Sequence, residues 1–258
     1  ALMRLRKYAT TNETLFLTYN HVLNHANKVL AGADENFHMN TAMSWLYDFQ
    51  YKVAGGSQTN FEQAKMPEIE NHKPDYEALI NRFEELGASC PSTNFIIDEG
   101  QDLPPEWYEA VEALNVENFF IVADQNQQIT EENSSQADLL DALGLEKDDL
   151  IHLKENWRNT TPISAFANYF YTDKSSEKPA LPKKPSAHVP ILYEYKMLES
   201  AKELILSSYD NDPSKLIGLF VANENKRGYW AKYLKNDHKQ RREAAPIVST
   251  YYSDQKGS

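Results

Sequence analysis

One cysteine in 258 residues, Cys90, leaves no partner for an intrachain disulfide and no thiolate set for a zinc site. Glycine is scarce as well, at nine residues, and none of the nine stands before Lys-Ser or Lys-Thr. The Gly-x-x-x-x-Gly-Lys-[Ser/Thr] loop that cradles nucleotide phosphates is therefore absent from the sequence. Long hydrophobic runs are missing too. Stretches such as Phe119 to Ala123 are strand-length, far short of the roughly 20 apolar residues of a membrane span. The sequence opens Ala1-Leu2-Met3 without a secretory signal, and a soluble cytoplasmic protein is expected. Positive charge is also lacking: 26 Lys and Arg against 38 Asp and Glu give a net charge of −12. That balance argues against duplex binding driven by electrostatics alone. Single strands remain open as a ligand, because a local groove with stacking aromatics can hold them. The short basic clusters at Arg4 to Lys7 and Lys235 to Arg242 read as solvated helix faces.

Hydrophobic residues make up 41% of the chain and aromatics 12%, enough for a substantial core. Thr14 to Tyr19 is a β-rich run, and helical spacing follows through Val22, Leu23, Ala26, Val29 and Leu30. A helix is expected around Met43, Leu46 and Tyr47. Gly55 to about Pro74 reads as loop-rich, and Tyr76 to Leu86 places Leu79, Ile80, Phe83 and Leu86 on one helical face. Asn94 to Asp98 and Asn118 to Ala123 are short apolar strands, each running into a carboxylate, Asp98 and Asp124. Between them Pro104-Pro105 starts a helix through Trp107 to Leu114. Strands that are continuously apolar and alternate with helices predict an α/β fold whose parallel sheet is covered on both faces. Asp173 to Pro190 reads as a surface connection. Beyond it the spacing predicts a helix near Leu198 to Ser207, a strand at Leu216 to Val221, a helix near Tyr229 to Leu234 and a strand at Ile247 to Thr250.

The segment Phe95-Ile96-Ile97-Asp98-Glu99-Gly100-Gln101-Asp102 carries the most chemistry. Two adjacent acids at the carboxyl end of a buried strand stand where open α/β sheets bind ligands. In a nucleotide hydrolase the first acid orients Mg²⁺ and the second polarises the attacking water. The string Asp-Glu-x-Gln-Asp after such a strand resembles motif II of the UvrD/Rep-type superfamily 1 DNA helicases. Other segments resemble further motifs of that family, in the family's order. Phe120 to Ile129, with Asp124 and Gln127, is similar to motif III, with Ala123 where Gly is usual. Asn156-Trp157-Arg158-Asn159-Thr160 is similar to motif IV. Upstream, Leu15 to Asn20 resembles motif Ia, and Thr41-Ala42-Met43-Ser44 the Thr-x-His-Ser box, with Met43 in the His position. Ile247 to Ser258 resembles motif V.

The resemblance implies two RecA-like domains with parallel sheets, both incomplete at the chain ends, at residues 1–150 and 151–258. ATP and Mg²⁺ would lie in the cleft between them, driving translocation on single-stranded DNA or a partly single-stranded duplex. It assigns Asp98 and Glu99 to the metal and to water activation, Gln127 to sensing the γ-phosphate, Arg158 to an arginine finger and Trp157 to stacking on the base. Thr18, Tyr19, Asn20, Thr41, Ser44, Thr250 and Ser253 would line the nucleic-acid path, their hydroxyls bonding phosphates without reading sequence. The phosphate loop is expected before Ala1, and motif VI after Ser258. Two other readings accompany this one: a DNA-stimulated ATPase switch acting on a bound nuclease or other protein partner, and a non-hydrolysing helicase-like scaffold.

Overall fold

A computed structural model describes residues 5, 7, 14–32, 37–57, 60–69, 73–92, 94–127, 133–153, 155–171, 178–214, 216–241 and 248. The chain divides into two units, Ala1–His188 and Val189–Ser258. The first is built on four strands: β1 (Thr14–Thr18), β2 (Phe37–Thr41), β3 (Asn94–Asp98) and β4 (Asn118–Val122). They form one sheet in the order β2-β1-β3-β4, with every neighbouring pair parallel. β1 is buried at all five positions and β3 at all but Asp98, as the two central strands of a covered sheet must be. Their near-continuous apolar sequences follow from that double coverage.

Side chains alternate between the two faces. Leu15, Leu17, Phe95 and Ile97 meet α2 (Ala42–Val53), α4 (Tyr76–Leu86) and α5 (Pro105–Glu112) in the larger core, through Leu46, Leu79, Phe83, Trp107 and Val111. Phe16, Met39 and Ile96 point the other way, against Leu5 and against Ala31 of α1 (His21–Ala31). A short helix, α3 (Phe61–Ala64), interrupts the segment expected to be loop. Local chemistry fixes where these helices begin and end. Asp75 accepts the Ala78 N–H at 2.9 Å to cap α4, and Gly87, at φ 58°, closes it in the left-handed conformation. Pro105 stands at the start of α5, where its missing N–H costs nothing. α6 (Gln136–Ala142) begins with a capping box between Ser135 and Asp138. Further along this unit lies α7 (Thr161–Ala167).

The second unit has two helices among its described residues, α8 (Leu198–Asn211) and α9 (Glu224–Arg241). They pack through Ala201, Leu206, Trp230 and Leu234, with Val248 against the same cluster. Tyr233 donates to Glu199 at 2.9 Å and carries the Lys202 ammonium 4.6 Å from its ring centroid. Residues 216–221, expected as a strand, form none. A strand needs a laddered neighbour, and none exists among the described residues of this unit; Leu216 and Phe220 stand exposed. Of the strand expected at 247–250, all but Val248 lies outside the described residues. No helix among the described residues is long and apolar enough to cross a membrane.

Trp107 is fully buried, yet its indole N–H meets no acceptor among the described residues. An unpaired buried donor costs about 1–3 kcal/mol, close to what the extra ring area of Trp over Phe contributes. Trp107→Phe is therefore expected to change stability by no more than about 1 kcal/mol, whereas Trp107→Ala should cost about 3–5 kcal/mol. Urea denaturation midpoints check both, and a large loss for the Phe variant would show that the indole N–H is satisfied in solution.

Candidate active site

Parallel register places the strand ends side by side. Thr18 of β1 pairs with Thr41 of β2 and with Asp98 of β3, and Asp98 pairs with Val122 of β4. All four therefore finish on one carboxyl edge. The strand order also reverses there. β1 leads to α1, which packs on one face of the sheet, whereas β3 leads to α5 on the other. Adjacent strands whose connections leave to opposite faces open a crevice between their ends, the general ligand site of open α/β sheets. Here that crevice lies between Thr18 and Asp98.

The turn after β3 is held in an uncommon shape. Glu99 has φ 58° and ψ 45°, a left-handed conformation that costs a non-glycine residue about 1–2 kcal/mol. Such strain persists where the surroundings over-determine it and clusters at functional sites. Three contacts fix it here. The Asp102 N–H donates to the Glu99 carbonyl at 3.0 Å, the Tyr108 hydroxyl donates to the Gly100 carbonyl at 2.7 Å, and the Gln101 amide donates to Glu99 Oε2 at 2.9 Å. Gly100 has no room for a side chain, since a Cβ there would run into Ile121 Cγ2 and come within 2.9 Å of the Tyr108 hydroxyl.

Asp98, Glu99 and Asp102 crowd three carboxylates into five residues. Burial raises the Asp98 carboxyl above the ordinary range, and the neighbouring Glu99 charge adds to the effect. Burial followed by Glu99 raises Asp102 in the same direction. Among the described residues no group of three or more His, Cys, Asp or Glu side chains is arranged to hold a metal ion. Mg²⁺ at a phosphate-transfer site uses one or two carboxylates and keeps several waters, so Asp98 with Glu99 is a donor set of the right type.

Across the edge, the turn after β4 is tied to the same turn. The Asp124 N–H donates to Gln101 Oε1 at 3.0 Å, and Asp124 accepts from the Gln127 side chain at 2.8 Å. Gln127 is thereby linked to Glu99 through Gln101 and Asp124, while Asp98 stands beside them at the end of β3. Gln101 and Asp124, to which sequence reasoning gave no role, are the connectors.

The other expected residues fare differently. Thr18 is fully buried and donates to the Asn20 carbonyl at 3.1 Å, while Tyr19 and Asn20 are exposed. Thr41 caps α2: its hydroxyl accepts the Ser44 N–H at 3.4 Å and donates to Ser44 Oγ at 2.8 Å. These two hydroxyls serve the fold first. Trp157 is 82% exposed, and Arg158 beside it is exposed as well. The turn that presents them is shaped by Asn156, which accepts the N–H groups of Arg158 at 3.2 Å and Asn159 at 3.1 Å. No hydrogen bond joins Trp157 or Arg158 to Asp98, Glu99 or Gln127 among the described residues. Thr250 and Ser253 lie outside the described residues. An open hollow of about 510 Å³ near α3 contains none of the strand-end groups, and its Arg82 already donates to the Lys65 carbonyl at 2.8 Å.

No protein-family model matches the chain, and no curated protein matches it.

Two outcomes test this geometry. A carboxyl whose folded-state pKa is raised holds its proton more tightly in the folded chain. Stability is then lost as pH rises through the ordinary value near 3.8 towards the folded value, and the deficit is complete above it. Asp98→Asn should accordingly unfold at higher denaturant than the parent at neutral pH, with the gap closing in acid. A midpoint below the parent's at neutral pH would mean that Asp98 is a stabilising carboxylate. Gly100→Ala, which forces a methyl against Ile121, should cost about 1–3 kcal/mol, the usual range for overpacking. A neutral substitution would show that the turn after β3 is not in close contact with β4.

Proposed function

We propose that this chain forms part of an ATP-dependent motor of the UvrD/Rep type, which hydrolyses ATP between two RecA-like domains to move along single-stranded DNA. The observation that carries the reading is the junction of the β3 and β4 turns. Asp98, Glu99 and, through Gln101 and Asp124, Gln127 belong to one hydrogen-bonded edge next to the switch-point crevice. A parallel α/β sheet with two acids at a central strand end is the frame such chemistry requires. The bound Mg²⁺ nucleotide supplies a γ-phosphoryl group open to attack by water. Asp98 would hold the metal, and Glu99 would take the proton of the water as its oxygen bonds to phosphorus and the bond to the ADP oxygen breaks. Gln127 senses the phosphate from the β4 turn.

Arg158 stabilises the developing charge, and Trp157 stacks on the base. Their exposure supports this part of the reading, since neither side chain is held by a hydrogen bond or ring contact among the described residues. Tyr19 and Asn20, exposed beyond β1, extend the edge towards a nucleic-acid path.

Steady-state ATP hydrolysis by the full-length protein, alongside direct nucleotide binding, tests these roles. Glu99→Gln should keep nucleotide affinity while kcat falls by about 10²–10⁴, the usual loss of a general base. Arg158→Ala should lower turnover by about 10³–10⁵ with far less change in affinity. Asp98→Asn should raise the Mg²⁺ requirement. Near-parental turnover in Glu99→Gln would remove Glu99 from the chemistry and with it the proposed reaction site.

A further inference from the structure

We propose that Gln101 is a positioning residue that couples the Glu99 carboxylate to the Asp124–Gln127 turn, a role in hydrolysis that rests on the function proposed above. Its side chain is 1% exposed, and both ends of its carboxamide are engaged. Nε2 donates to Glu99 Oε2 at 2.9 Å and Oε1 accepts the Asp124 N–H at 3.0 Å. The orientation of the amide follows from its partners, because a carboxylate accepts and a backbone N–H donates. A neutral carboxamide of this length supplies both functions at once, which a carboxylate, an ammonium or an apolar side chain cannot.

The path continues past Asp124. Asp124 Oδ1 accepts the Asn126 N–H at 3.0 Å, which shapes the turn, and Oδ2 accepts the Gln127 side-chain amide at 2.8 Å. Glu99, Gln101, Asp124 and Gln127 are therefore linked in series, through the Gln101 amide and then through Asp124, which bonds Gln101 by its backbone N–H and Gln127 by its carboxylate. Gln101 is the buried link of this series, while Gln127 is exposed. Buried polar groups tolerate the loss of a partner poorly, and linked hydrogen bonds respond together. When Glu99 turns from Gln101 to engage water, the Gln101 amide must follow it or lose its acceptor. Either response alters the hold on the Asp124 N–H and so the placement of Gln127. The strained backbone of Glu99 belongs to the same device, since its left-handed conformation aims the carboxylate back at the residue two places on.

The test reads this coupling directly, by nuclear magnetic resonance of the full chain, and reads hydrolysis separately. Glu99→Gln should shift the Asp124 backbone amide and the Gln127 side-chain amide resonances. In a Gln101→Met background, similar in length but without donor or acceptor, the same substitution should leave those resonances where they were. Gln101→Glu alone faces Glu99 with a second carboxylate and should lower the thermal midpoint. The exchanged pair, Glu99→Gln with Gln101→Glu, restores a donor opposite an acceptor and should recover both the midpoint and the Gln127 signal, yet not hydrolysis. Gln101→Met should reduce kcat about 10–100-fold, as loss of an outer-shell partner does, with KM little changed. A Glu99→Gln shift at Asp124 that persists in the Gln101→Met background would overturn the coupling. So would an exchanged pair no more stable than Gln101→Glu. Absence of hydrolysis in the parent protein would defeat the proposed function, while the resonance shifts would still decide the coupling.

Discussion

The parallel register of β1 with β3 is the constraint on which the rest depends. Pairing Thr18 with Asp98 aligns the ends of the two central strands, and burial of both strands on both faces allows no slip. A slip of one residue in β1 would exchange Leu15 and Leu17 with Phe16, and one in β3 would exchange Phe95 and Ile97 with Ile96, turning the core set of the slipped strand to the wrong face. The fold therefore fixes the position of the carboxyl edge through apolar packing along the strands that lead to it. Polar residues at that edge inherit a defined geometry without having to create it.

What they add is internally opposed. Burial and the nearby Glu99 charge raise the Asp98 and Asp102 carboxyls, and Glu99 holds a backbone conformation that glycine would occupy at less cost. The offsetting contacts are short and local: the Tyr108 hydroxyl on Gly100, the Asp102 N–H on Glu99, and the two-ended amide of Gln101. Three crowded acids, a left-handed Glu and a glycine that admits no methyl form an arrangement that stability alone does not favour. Sites where local rules fail while the surrounding core satisfies them are where function is expected.

Much of the first unit could be read from sequence because its signals were strong and local. β1, β3 and β4 appear as apolar runs close to their observed limits, and α4 matches its expected span because Asp75 and Gly87 mark both ends. β2 went unrecognised. Phe37-His38-Met39-Asn40-Thr41 carries polar residues because it is an edge strand, with His38 exposed and Asn40 half-buried, so its run is broken. The strand expected at 216–221 failed for the opposite reason. Leu216 to Val221 is apolar enough, but a strand is defined by its neighbours, which composition does not reveal. At the carboxyl edge, the motif spacing named Asp98, Glu99 and Gln127, and the structure places them at the ends of β3 and β4. The bridge made by Gln101 was not legible, because its partners lie two and 23 positions away on different turns. For Thr18 and Thr41, sequence reasoning named the residues but not the internal hydrogen bonds their hydroxyls make.

In the proposed motor, ATP hydrolysis at this edge would be governed by single-stranded nucleic acid. Measuring Mg²⁺-dependent ATP hydrolysis by the full-length protein, with and without a single-stranded oligonucleotide, tests it most directly. Low basal turnover is expected, rising several-fold when the strand is added and falling back when the strand is sequestered as duplex. Turnover indifferent to the strand, or none under either condition, would contradict the proposal.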